Sequence, residues 1–321
     1  MTKIASTSGG AAPPETEAAV PVAGLDDVQA APAAPSGTSE SPSAVVTARA
    51  ERAGAAGRRR MLRVLGSTAR TLGYALAGLL IFGIGWHFAS ASSELPGPKD
   101  GLGALKTLLS DPFYDLGPND KGVGLRVYIS LKSVFTGFLL AALVGVPFGM
   151  ALGSSKVAWQ TFNPLVQVLR PVSPLAWYPI WLTILKDTPH AVVTVIFITA
   201  LWPIILNTAS GVAEVPHDQK NVALVFRFSR LTYVRHVLLP NAMPSIVSGL
   251  RLSMGVAWMV LVAVEMLSAQ PGIGGFAWES YNTGNLHDTE AAIILIGVVG
   301  LLLDTVLLRL ARRAAVQEVR T

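Results

Sequence analysis

Apolar runs close to twenty residues long recur along this chain, and few architectures can accommodate them. They fall at about 72–90, 127–152, 172–186, 190–208, 243–268 and 289–309. A helix needs about 20 mostly apolar residues to cross a bilayer. With 51% hydrophobic residues, 14% charged residues and a mean hydropathy of +0.49, the composition suits a polytopic membrane protein better than a soluble domain. The expected fold is all-α, with six transmembrane helices. The chain has no cysteine, which rules out disulfides, thiolate metal sites and cysteine nucleophiles.

Between these runs the chain changes character. Residues 1–48 are rich in Ala, Pro, Ser, Thr and Gly and cannot bury enough surface to offset their ordering entropy, so they read as a disordered tail. The tail lacks the apolar h-region of a signal peptide. Residues 49–71 form a basic juxtamembrane lead-in carrying Arg49, Arg52, Arg58, Arg59, Arg60, Arg63 and Arg70. The connection at 91–126 mixes charges with Gly and Pro, with an amphipathic piece at Gly103–Ser110. Gly137, Gly145 and Gly149 permit close packing of the second span. Pro164, Pro171 and Pro174 interrupt 157–186, predicting an apolar lead-in, a break and then the third span. Lys186-Asp187-Thr188-Pro189 makes a tight turn before the fourth.

The charges set an orientation. Cytoplasmic flanks carry an excess of Lys and Arg. With the N-terminus inside, the basic lead-in, Lys156, the 209–241 loop and the arginines at 309, 312 and 313 all lie in the cytoplasm. The opposite face keeps Lys99, Lys106, Lys121 and Arg126 diluted by acidic residues, and 269–288 has no Lys or Arg. Six spans with both ends inside is the consistent reading. The net charge of +5 is explained by these flanks, which argues against a nucleic-acid partner and for contact with lipid.

The loop between spans four and five holds more information than a simple return needs. In Asn221–Pro240 (NVALVFRFSRLTYVRHVLLP), Leu, Phe, Tyr and Val alternate with Arg227, Arg230, Arg235 and His236. Asp218 is placed to cap a helix over 219–226 and Ser229 a second over 230–239. Val222, Val225, Phe226, Val234, Val237 and Leu238 are expected on a buried side, leaving the cations for a soluble partner or for lipid headgroups.

At this point the sequence resembles a known family, the permeases of ABC importers. Their cytoplasmic loop reads Glu-Ala-Ala, then Gly, then Ile-x-Leu-Pro. With Leu239-Pro240 on the final pair, Asn221-Val222-Ala223 falls on Glu-Ala-Ala, Arg227 on the Gly and Val237 on the Ile. Asn221 and Arg227 depart from the pattern, and losing the Gly implies a different turn between the two helices. The stretches Arg170–Trp181, Phe197–Val212 and Ser248–Leu267 look like the branch importing nitrate, nitrite, bicarbonate or cyanate, whose relatives import taurine and sulfonates. The likeness covers roughly 125–312, with a permease domain over 127–312 and a short tail at 313–321.

The resemblance implies a permease for a small anion, foremost nitrate. Two copies would enclose a pathway, with an ABC ATPase dimer at the cytoplasmic face and a periplasmic or lipid-anchored binding protein outside. Asn221, Val222, Ala223, Arg227, Arg230, Arg235, Val237, Leu239 and Pro240 would form the coupling loop. No Gly-x-x-x-x-Gly-Lys-Ser/Thr loop occurs, so ATP and its Mg would be held by the partner ATPase. No cofactor, metal site or catalytic constellation is expected in this chain.

Charges at membrane depth are functional candidates. In the fifth span these are Arg251, which can line an anion pathway or meet a carboxylate, and Glu265, expected to be structural and to bond the Gly-rich connection Gly272–Gly275. That connection reads as a turn rather than a phosphate cradle. Ser173, Trp177, Asn207 and Thr208 are further pathway candidates. A carrier working alone should show inverted repeats or several paired intramembrane charges, and neither is visible in the sequence.

Overall fold

The computed structural model describes residues 70, 73–91, 96–117 and 120–318, with side chains to Arg309 in the last helix. The tail at 1–48 and all but the end of the basic lead-in lie outside these residues. Two units meet at Tyr74 and Ala75, and the fold described is that of the second.

Among the described residues, five helices are long and apolar enough to cross a membrane: α1 (Gly73–Ala91), α3 (Val123–Ser154), α6 (Thr188–Ala213), the run Arg230–Ser268, and the last helix over Leu286–Arg309. No strand is present among the described residues beyond an isolated bridge between Asp115 and Lys121. There Lys121 Nζ donates to both carboxylate oxygens of Asp115 at 2.6 Å, which holds that carboxyl below the usual range. Between α1 and α3, α2 (Pro98–Leu108) takes in most of the expected amphipathic piece. Its first turn is set by Pro98 and by the Gly97 amide donating to the Asp100 carboxylate at 3.0 Å.

The expected third span is not one continuous crossing. The region divides into α4 (Lys156–Leu169, 14 residues) and α5 (Pro174–Leu185, 12 residues). At about 1.5 Å per residue each falls short of the roughly 30 Å hydrocarbon core. The cause is local. Arg170 still holds helical backbone, its N–H bonded to Val166 O at 2.9 Å, but Pro171 has no N–H to continue the ladder of α4. Pro174 then supplies a preset φ at the start of α5, where its missing N–H is not needed. Lys186, in left-handed backbone with φ 51°, ends α5. Asp187 caps α6 by accepting from the His190 amide at 3.3 Å.

The helix α6 occupies the centre, packed between α3 and α9 (Leu239–Ser268), with α5 against it. Its buried face runs through Ile196, Ala200, Ile204 and Thr208. Glycines of α3 let the two backbones approach. A Cβ on Gly137 would sit 2.8 Å from Ile196 Cβ, and one on Gly149 2.7 Å from Thr208 Cβ. On the other side, a Cβ on Gly249 of α9 would meet Asn207 Cβ at 2.7 Å. The helix α10 (Ile273–Asn282) and the final α11 (Leu286–Glu318) complete the unit.

Filling this seam should unfold the chain more easily. Gly137→Leu is expected to cost about 1–3 kcal/mol as overpacking, lowering the apparent Tm in fluorescence-detected size exclusion. Gly297→Ala, at a helical position with nothing within 4 Å, should leave Tm unchanged or raise it, by up to about 1 kcal/mol in stability.

Candidate functional site

The loop between α6 and α9 begins with α7 (His217–Val225), whose N-cap is Pro216. Asp218 therefore lies inside the first turn, where it favours the helix dipole, rather than capping. The end of α7 is a Schellman turn. Phe228 N–H donates to Ala223 O at 3.0 Å and Arg227 N–H to Leu224 O at 3.1 Å. The residue after the cap must be left-handed in such a turn, and Arg227 is, at φ 50°. Arg227 adopts the left-handed backbone for which Gly is ordinarily used.

After the turn, Ser229 caps α8 (Arg230–Tyr233), its Oγ accepting from Thr232 N–H at 3.2 Å. The second helix was expected to end near Pro240, but it does not. A π-helical turn at Val234–Leu238 leads directly into α9, giving one run of 39 residues from Arg230 to Ser268. Pro240 cannot donate to the carbonyl four residues back, and the π-turn, with Leu239 N–H bonded to Val234 O, shifts the ladder around that missing donor. Asn241 ties the junction to α7 by donating to Gln219 Oε1 at 2.7 Å.

Expected burial and observed burial differ here. Ala223 and Leu238 are buried, and Val237, Leu239 and Pro240 partly so, but Val222, Val225 and Phe226 are exposed, Val225 by 79%. The nine-residue α7 touches the rest of the chain chiefly at the π-turn, so one small residue suffices for its inner face. Leu224 and Leu231 are also exposed, beside the exposed Asn221, Arg227, Arg230 and Arg235. Between α7 and α8 a groove of about 310 Å³ is lined by Lys220, Ala223, Leu224, Phe228, Arg230 and Tyr233. Exposed apolar side chains ringed by cations are what a protein interface presents.

The pathway candidates separate into three places. Trp177 and Asn207 meet on a cavity of about 370 Å³ between the α4–α5 break, α6 and α9. Ser173, exposed at the N-cap of α5, is adjacent in sequence to this lining, and Thr208 is buried toward α3 beside Gly149. Arg251 faces α11 instead. Its Nε and Nη2 donate to the two carboxylate oxygens of Asp304 at 2.7 and 2.8 Å. The reading from sequence missed Asp304, a lone carboxylate within an apolar run, and so missed this intramembrane pair. It also passed over Arg170, which lines the cavity and stands between Leu169 and Pro171 in an otherwise apolar stretch.

Glu265 is 1% exposed and joins three helices. Ser130 Oγ of α3 lies 2.7 and 2.9 Å from its two oxygens, and Gly274 N–H of α10 donates to it at 3.0 Å. Ile273 N–H donates to Ser130 Oγ at 3.0 Å. At the opening of α10 the Gly274 amide thus holds the chain's own carboxyl group, as helix N-termini hold anions, and the Ile273 amide holds the serine hydroxyl beside it. The fit requires Gly272, because a Cβ there would lie 2.2 Å from the Glu265 carboxyl carbon. Near the same end, Arg126 is buried, donates to Glu279 at 3.2 Å and stacks over Phe276 at 4.9 Å.

Against known proteins, residues 145–316 match the model of the family described as binding-protein-dependent transport system inner membrane component. The chain belongs to this family. Among its relatives is a nitrate import permease protein NrtB of Synechocystis sp., 42% identical over 72% of this chain and 83% of the relative. A bicarbonate transport system permease protein CmpB of Synechococcus elongatus is 43% identical over 71% of this chain and 84% of that protein. The permease also shares its fold with the MetNI methionine ABC transporter in inward-facing form, at TM-score 0.52 and 17% identity, over 58% of this chain and 93% of that one. It is therefore a helical membrane component of a transport system rather than an enzyme.

Two substitutions check this geometry. Arg227→Gly should relieve about 1 kcal/mol of left-handed strain and raise the apparent Tm, whereas Arg227→Val should lower it. Glu265→Leu, which strands Ser130 and the Gly274 amide, should cost about 3 kcal/mol, read as a large fall in Tm.

Proposed function

We propose that this permease carries a small oxyanion, nitrate foremost, across the bacterial inner membrane, driven by ATP hydrolysis in a separate ATPase. The observation that carries the reading is the capped α7–α8 elbow with its exposed apolar and cationic side chains, in a chain 42% identical to a nitrate import permease. In this reading Asn221, Val222, Ala223, Arg227, Arg230, Arg235, Val237, Leu239 and Pro240 form the coupling loop. The ATPase dimer, which holds ATP and Mg, docks on it. A binding protein delivers the anion from outside, and a second copy of this chain closes the pathway.

The mechanism is alternating access by rocking of rigid elements. ATP-driven closure of the ATPase favours one state only through tighter binding to it. The elbow is built to receive such a push, since α8 is the start of the helix that becomes α9. Trp177 and Asn207, facing one cavity, are pathway residues. Arg251 and Glu265 are structural, each held by partners on neighbouring helices. Both termini lie in the cytoplasm if α4 and α5 together make one broken crossing, which also keeps Lys156 and the elbow on the basic side.

A second reading is bicarbonate as substrate, supported by the 43% identity to a bicarbonate transport permease. The two share planar oxyanion chemistry, and uptake decides between them. Proteoliposomes holding the permease, its ATPase and its binding protein should accumulate labelled nitrate only with ATP. Accumulation without the ATPase would instead indicate a carrier acting alone. ATP-dependent uptake of bicarbonate but not nitrate would change the substrate and keep the machine. Leu224→Glu should abolish co-purification of the ATPase, because a desolvated unpaired charge at a docking surface costs about 3–5 kcal/mol.

A further inference from the structure

Resting on the importer reading, we propose that Arg170, at the break between α4 and α5, is the anion-coordinating residue of the membrane pathway. It would take a planar oxyanion between its guanidinium and the side chains of Trp177, Trp202 and Asn207.

The position comes from the breaks and lengths of the helices. Arg170 follows the fourteen residues of α4, about 21 Å along that helix at 1.5 Å per residue. The cavity it lines also takes in Thr199 and Trp202 from the middle of α6, Asn207 nearer the C-terminal end of that helix, and Leu252 and Val256 from the middle of α9. The cavity therefore lies along the lengths of α6 and α9, away from their ends. Irregular backbone at such depth is tolerated where it lines a cavity, and broken helices of transporters do so around their solutes.

Two other arginines of the apolar helices meet carboxylates. Arg126 is paired with Glu279 and Arg251 with Asp304. Arg170 has no ion pair among the described residues, and it alone of the cavity-lining side chains is charged. A cation at this depth without a carboxylate is costly unless its counter-charge arrives with the solute. The planar guanidinium fork suits a planar oxyanion, which it can bond bidentately. Trp177 and Trp202 have no hydrogen-bond partner among the described residues for their indole N–H groups. Asn207 uses one amide hydrogen on Pro203 O at 2.8 Å and keeps the other. The volume of about 370 Å³ admits a small anion with several waters, each occupying about 30 Å³.

The first test is fluorescence of the full-length permease in nanodiscs, with iodide as anionic quencher and acrylamide as neutral one. Comparison with Trp177→Phe/Trp202→Phe isolates the cavity indoles. Arg170→Gln should lose most of their iodide quenching and keep their acrylamide quenching, and Arg170→Lys should retain both. Nitrate and bicarbonate, added separately, should each protect the wild-type indoles from iodide if they occupy the site. Wild-type cavity indoles that iodide does not quench, or equal quenching in Arg170→Gln, overturn the proposal. If Arg170→Gln aggregates, Val256→Asp places a neutralising carboxylate in the same cavity, and undiminished iodide quenching in it is equally fatal. In the complete importer, Arg170→Gln should reduce ATP-dependent oxyanion uptake about tenfold or more, with the ATPase still co-purifying. A wild-type importer inert toward both oxyanions defeats the importer reading, while the quenching result still decides whether Arg170 draws anions into the cavity.

Discussion

Between apolar helices surrounded by lipid, burial of apolar surface gives little net attraction, so close backbone approach must supply the contact. The central α6 depends on that condition. Gly137 and Gly149 on one flank and Gly249 on the other remove the side chains that would hold the helices apart. Polar groups then add direction without exposing charge, as in Ser253 Oγ donating to Ala200 O at 2.8 Å between α9 and α6. With three helices locked in this way, the cavity, the elbow and the Glu265 node are all attached to a rigid centre.

The parts of the fold legible in the sequence are those governed by length and local chemistry. Five of the six expected spans coincide with long apolar helices, the break at 170–173 followed from Pro171 and Pro174, and the Ser229 cap from its place before the second helix. What escaped depends on partners far apart in the chain. The Arg251–Asp304 pair joins residues 53 positions apart, and each looks like an isolated charge when read along the sequence. The exposure of Val222, Val225 and Phe226 escaped for a related reason: a pattern of apolar residues states that a face is to be covered, not whether this chain or another covers it.

Arg227 shows how a motif can be kept while its residue is lost. The Schellman hydrogen bonds of Phe228 and Arg227 determine the path of the chain, and a left-handed arginine at φ 50° permits them at a cost of about 1–2 kcal/mol. A departure judged by residue type predicts a different turn. The hydrogen bonds make a Schellman turn with a non-glycine residue at its left-handed position, and strain of this kind concentrates at functional sites.

The continuity of α8 with α9 links the sites mechanically. One helix begins at Arg230 in the α7–α8 elbow, passes Leu252 and Val256 at the cavity, and carries Glu265 to the node with Ser130 and Gly274. Two separate short helices would let a push on the elbow dissipate in the joint at Pro240. The π-turn keeps the backbone bonded through that position, so α8 cannot move without moving α9. At its far end Glu265 is anchored to α3 and α10 by three buried polar contacts. In the proposed coupling, a displacement entering at the elbow would be delivered as rotation or tilt about the Glu265 node, and the cavity, lined by Leu252 and Val256 between the two ends, would change shape with it.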